Sequence, residues 1–368
     1  MGDAIELPAV VSHPAGVPSM LLFRQKKLWW GLLAIGWVLS LGCPRSIEGA
    51  RVPEHSRNET QKGVGLGLFA SRPDYNYEHL IDEIVRHGAT DLLVVVPWYQ
   101  ADRSSHDIHP RRGFSPSTQN VLRTLRQAKS KGLRVSLLPI VRLAEREPNE
   151  WRGRIAPKAG VDAWFRAYAV FLNEMAQAAQ AAGIARFGVG SELLSLERHE
   201  TAWRKLIDDV RTRFQGRLYY SANWDHFEPI GFWDALDEVG ITAYFELASS
   251  LDRPDAAALR RAWRKPQLEL ARLKSRLNKP IVLTEVGYPS RASAARYPWD
   301  ETSKSPVDVQ LQADLYRAFC NAFIDSNLLA GFYFWNWFGF GGTDDGEYTP
   351  RGKPAAQVMR SCLEDTRW

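Results

Sequence analysis

Glu192 and Glu285 stand 93 residues apart, and each follows a short, nearly continuous apolar run. Two carboxylates that a fold brings face to face can split a glycosidic bond. One must hold a proton for the leaving oxygen, while the other, ionised, attacks the sugar or activates water. Burial and mutual repulsion would raise the pKa of the acid. The plainer reading of each glutamate is a strand-end residue paired with one of the chain's many arginines.

Aromatic residues gather at the same kind of position. The chain has 14 Trp, 12 Tyr and 16 Phe. Trp98, Trp224, Trp335 and Trp337 come just after short apolar runs or at their ends, as do Ser191, Asn223 and Tyr244. Pyranose rings present flat C–H patches that lie well on indole faces, so these four tryptophans are expected to contact substrate. Trp164, Trp203 and Trp263 fall within helical patterns and are expected in the core.

The elements that must position these residues follow from a steady alternation. Strand candidates are 64–69, 91–97, 133–140, 185–190, 218–222, 239–244, 281–284 and 329–335. Helix candidates are 77–87, 118–131, 163–182, 201–214, 232–236, 256–277, 307–325 and 354–363. Short strands that are apolar on both faces suit a parallel sheet covered by helices. Ser117 is placed to cap the second helix, Gly132 and Gly183 to end the second and third, and Pro280 to open the seventh strand. Eight such units predict an α/β fold, a (β/α)₈ TIM barrel over residues 63–368, with a doubly wound sheet as the alternative. In a barrel the ends named above share one rim, and strands four and seven face each other across it.

Six segments resemble glycoside hydrolase family 113, a family of retaining β-1,4-mannanases of clan A. They are WRGRIAP (151–157), FGVGSEL (187–193), LYYSANWD (218–225), FWDALDEVGITAYFEL (232–247), KPIVLTEVGYPS (279–290) and FYFWNWF (332–338). The resemblance implies Glu192 as general acid/base, Glu285 as nucleophile, Tyr244 as a hydrogen-bond partner near the nucleophile, and Trp335 as a sugar platform. It implies β-mannan as substrate and no cofactor. Clan members usually carry Asn before the acid/base, where it holds the sugar 2-hydroxyl; Ser191 stands there in this chain, with Asn223 as a candidate substitute. The rival from another class is a barrel that binds a β-linked glycan without cleaving it. That rival predicts carboxylates set too far apart or blocked by an Arg or Lys.

The remaining signals set the context. A net charge of +5 with no basic run argues against nucleic acid as a partner. Arg24, Lys26 and Lys27 precede an uncharged apolar stretch, Leu28–Gly42, so residues 1–43 read as a signal segment. It is cleaved, lipidated at Cys43 or retained as a membrane anchor, and residues 44–62 form a polar tether. An exported monomer is expected, periplasmic, at the cell surface or held to the membrane. Gly65–Ala70 matches a dinucleotide fingerprint but lacks the strand before it and the helix within it. It reads instead as a strand with close backbone packing. His106 and His109 make an H-x-x-H on a polar loop with no second ligand cluster, and Asp344–Glu347 lacks the alternation of a calcium loop, so no metal is expected. Cys320 and Cys362 could pair between neighbouring helices.

Overall fold

In the computed structural model, which describes residues 59–147 and 150–368, eight parallel strands close in sequence order into a barrel. The strands are β1 (Gln61–Gly67), β2 (Asp91–Gln100), β3 (Arg134–Leu143), β4 (Arg186–Ser191), β5 (Arg217–Ala222), β6 (Glu238–Thr242), β7 (Ile281–Val286) and β8 (Gly331–Phe334). Helices α1 (Glu78–Arg86), α2 (Thr118–Ser130), α3 (Val161–Ala182), α4 (Glu200–Arg211), α5 (Ala256–Ala262), α6 (Arg264–Leu277), α7 (Val309–Phe323) and α8 (Pro354–Glu364) surround it. The chain is thus a (β/α)₈ barrel. Residues 1–43 of the expected signal segment, and the tether through residue 58, lie outside the described residues.

Local chemistry explains most junctions. The Ser117 hydroxyl accepts from the Asn120 amide at 3.2 Å and caps α2, and Gly183 ends α3 in the left-handed conformation at φ 62°. Three expectations are corrected. Gln61 and Lys62, expected in the tether, begin β1; Gln61 is buried and takes a hydrogen bond from the Tyr333 hydroxyl at 2.9 Å. Residues 232–236 form only a 3₁₀ turn, Trp233–Ala235, so the fifth unit has no α-helix of its own. The single helix expected over 256–277 divides at Trp263, because Pro266 has no amide hydrogen and belongs in the first turn of a new helix.

The core has two layers. Leu93, Val95, Leu138, Ile140, Tyr219, Val282 and Tyr333 fill the barrel, while the larger layer lies between the strands and the helices. Gly63 and Gly65 make room inside. A Cβ on Gly63 would lie 2.2 Å from the Tyr333 ring, and one on Gly65 would lie 2.9 Å from Trp335. The glycine pattern of the first strand therefore serves packing beneath the rim. Cys320 of α7 and Cys362 of α8 form a disulfide with Cα atoms 6.0 Å apart.

Candidate active site

Both glutamates sit where their strand gains a residue on its neighbours. Along β4, Gly188 pairs with Tyr219 but Ser191 pairs with Ser221, so three steps on one strand match two on the next. Along β7, Ile241 faces Leu283 and Thr242 faces Glu285, and β8 shows the same slip. Such bulges re-aim side chains. Without the extra residue, Glu285 would share the outward phase of Ile281 and Leu283, which pack against the helices.

Glu192 follows β4 with a left-handed φ of 53°, an uncommon conformation for a residue with a side chain. The surroundings hold it there. Its amide donates to Ser221 O at 2.9 Å, and the Leu193 amide donates to the Tyr220 hydroxyl at 2.8 Å. That hydroxyl donates in turn to buried Glu197 at 2.7 Å, whose other oxygen lies 2.8 Å from His226 Nδ1. Burial raises the Glu197 pKa, against the pull of Tyr220 and His226.

The two carboxyl groups are fixed by different hydroxyls. Thr242, which faces Glu285 in the ladder, donates to Glu192 Oε1 at 2.6 Å. Tyr244 donates to Glu285 Oε2 at 2.6 Å. Arg152, in a 3₁₀ turn after β3, places Nη2 at 2.7 Å from Glu192 Oε2 and Nε at 3.1 Å from Ser191 O. Burial pushes the Glu285 carboxyl up to about 8, and the charge of Glu192 adds to the rise; Arg152 and the Tyr244 hydroxyl oppose it. Tyr244 is raised well above its usual range, first by burial and then by Glu285, so it remains a donor.

The other expected residues divide. Ser191 is buried against Arg152, whose Nη2 lies 3.4 Å from its hydroxyl. Asn223 is buried and donates to Asp225. Trp224 and Trp335 are partly exposed at the mouth, with Trp335 set 6.3 Å from Phe69. Trp98 and Trp337 are corrections, because neither lines the mouth. Trp98 shares the outward phase of Val94 and Val96 and stacks on Phe171 of α3 at 4.5 Å. Trp337 turns against α1, where its indole N–H donates to Glu83 at 2.8 Å and its ring lies 4.6 Å from His87.

Arg152 and Thr242 were not singled out in the sequence. Arg152 lies in a loop 40 residues before Glu192, and only its presence in the WRGRIAP segment marked it. Among the described residues, no group of three or more His, Cys, Asp or Glu is placed to hold a metal.

Residues 66–340 match the family model of Glycoside Hydrolase Family 113. The β-mannanase AaManA from Alicyclobacillus acidocaldarius, solved in complex with ManMIm, is 25% identical and superposes with a TM-score of 0.74, over 83% of this chain and 97% of that one. Another GH113 β-1,4-mannanase structure is 23% identical with a TM-score of 0.73, over 83% and 99% of the two chains. A family 5 mannosidase from Rhizomucor miehei, 12% identical, shares the fold with a TM-score of 0.56 over 83% and 92%. No curated protein matches the chain.

Proposed function

Because the chain belongs to glycoside hydrolase family 113 and is a glycoside hydrolase, we propose that it cleaves β-1,4-mannan with retention of configuration. The observation that carries this is the electrostatic coupling of two buried glutamates at the mouth, one held by Thr242 and the other by Tyr244. The choice of mannan is supported by the structural neighbours, which are named as mannanases.

In the first step the Glu285 carboxylate attacks the anomeric carbon as the glycosidic C–O bond breaks. Glu192 gives its proton to the leaving oxygen, and a glycosyl ester on Glu285 results. Water then attacks that carbon, Glu192 takes the water proton, and Glu285 leaves as a carboxylate. The Tyr244 hydroxyl favours the ionised nucleophile. Arg152 favours the ionised Glu192 that the second step needs, and must loosen when Glu192 carries the proton.

One observation favours the rival. The rival predicts a blocking Arg or Lys, and Arg152 lies 2.7 Å from Glu192. Product release from a panel of β-glycans by the purified protein, beside Glu285→Ala, separates the two. Cleavage of mannan that the substitution abolishes supports the enzyme. Cleavage of another glycan keeps the mechanism and discards mannan, while binding without cleavage supports the rival. The protein is further proposed to act as an exported monomer, tethered or released. The basic cluster before Leu28–Gly42 supports export, as does the Cys320–Cys362 bond, since disulfides persist in oxidising compartments.

A further inference from the structure

Large apolar side chains exposed to solvent are few, and two of them, Trp299 at 43% and Tyr297 at 36%, sit in the loop that follows β7. Their rings lie 5.3 Å apart at 78°. The Trp299 ring lies 6.1 Å from Trp224, which lies 5.9 Å from Phe245, which in turn contacts buried Trp263 at 5.7 Å. Trp299 is thus the outermost member of an aromatic series rooted in the core.

The loop is held firmly and is tied to the nucleophile. The Tyr348 hydroxyl donates to Pro298 O at 2.7 Å, one residue before Trp299. The Tyr348 ring lies 6.0 Å from Tyr244, which holds Glu285. On the far side of Trp299, Asp300 Oδ1 accepts from the Thr302 amide and hydroxyl at 2.9 and 2.7 Å. Arg296 pairs with Glu246 and covers the Tyr297 ring at 5.2 Å. A rigid indole exposed beside a cleft is suited to a ligand with a flat apolar face.

Position around the barrel says which part of a ligand it meets. Trp335 and Phe69 stand at β8 and β1, whereas Trp224 follows β5, on the opposite wall. Glu192, the proton donor to the leaving oxygen under the proposed mechanism, follows neighbouring β4. We infer that Trp299, with Tyr297 and Trp224, forms a second sugar platform that holds the leaving portion of a β-linked glycan, across the catalytic pair from Trp335. The inference rests on the glycoside hydrolase reading of the pair.

The test compares wild type, Trp299→Ala and Trp299→Phe on β-1,4-mannooligosaccharides of increasing length and on β-mannosyl fluoride, whose leaving group has no ring to stack. Trp299→Ala is expected to lose about tenfold in kcat/KM on the longer chains, mostly through KM, and to keep its kinetics on the fluoride unchanged. Trp299→Phe keeps a ring and should restore most of the loss. Equal kinetics for Trp299→Ala and wild type at every length would overturn the platform, as would a loss that ignores length. Calorimetric titration of Glu285→Gln with the same ladder, with and without Trp299→Ala, separates this from the reaction itself. Absent hydrolysis with length-dependent binding that needs Trp299 sinks the enzyme reading and keeps the platform. No binding by the protein with Trp299 intact overturns the platform.

Discussion

At the N-terminal end of the barrel, Asp91 and Glu238 are buried among three arginines; at the C-terminal end, Glu192 and Glu285 have one. Arg134 grips Asp91 with two bonds of 2.6 and 3.0 Å. Arg186 and Arg217 reach Glu238 at 3.3 and 2.9 Å, and Gln61 adds a further donor at 3.4 Å. At the mouth, Arg152 touches Glu192, while the Glu285 carboxylate has the Tyr244 hydroxyl as its one hydrogen-bond donor among the described residues. The lower pairs lie at strand starts in plain register, whereas the upper pair sits at bulges, one of them with a left-handed backbone. Buried charge is compensated where it only supports the fold, and left partly uncompensated where a proton must move.

This contrast can be broken at either end. The largest effect is expected at the lower one. Arg134→Ala removes both short ionic bonds to Asp91, leaving Arg186 at 4.0 Å as its remaining cation, and should cost about 3 kcal/mol of stability in denaturant unfolding, with kcat unchanged in the protein that remains folded. A drop in kcat without loss of stability would contradict the division of labour. At the mouth, Tyr244→Phe removes one charge-assisted hydrogen bond and should lower kcat/KM by about ten- to a hundredfold. Its effect on unfolding should be small beside that of Arg134→Ala, and the reverse ranking would erase the distinction.

The finest test is a pH profile. Glu285 is raised to about 8 and must be ionised to attack, so kcat/KM should rise with pH as this carboxyl gives up its proton toward about 8. Arg152 pulls that value down, so Arg152→Gln should move the acidic limb of kcat/KM to higher pH. An unmoved limb would remove Arg152 from the proton balance. The same raised carboxyl acts on stability. Its contribution is fully present below the unfolded carboxyl range and is lost as pH rises through about 8. Glu285→Gln should therefore gain in relative melting temperature between pH 4 and pH 8.

The fold was legible because its signal repeats: eight apolar runs alternate with amphipathic segments, and closure follows from the count. The two glutamates were legible as a candidate pair because carboxylates at strand ends are costly without a purpose. What stayed hidden was phase. Strands covered on both faces have no polar alternation, so nothing in DLLVVVPWYQ says that Trp98 points outward with Val94 and Val96. Trp337 was lost for a related reason, since its partner Glu83 lies on α1, far away in sequence. The bulges that turn Glu192 and Glu285 inward leave no mark in residue type, and Arg152, Thr242 and Trp299 join the mouth only through closure of the barrel.

If Glu285 attacks the sugar while Glu192 handles the proton, the sugar is held on Glu285 between the two steps. Incubation with 2-deoxy-2-fluoro-β-mannosyl fluoride tests this most directly, because the fluorine slows turnover while the fluoride leaving group still lets the ester form. Peptide mass mapping should place one sugar on Glu285, with no label on Glu285→Ala. Hydrolysis of mannan that gives the inverted anomer with no labelled protein, or a label on Glu192, would contradict it.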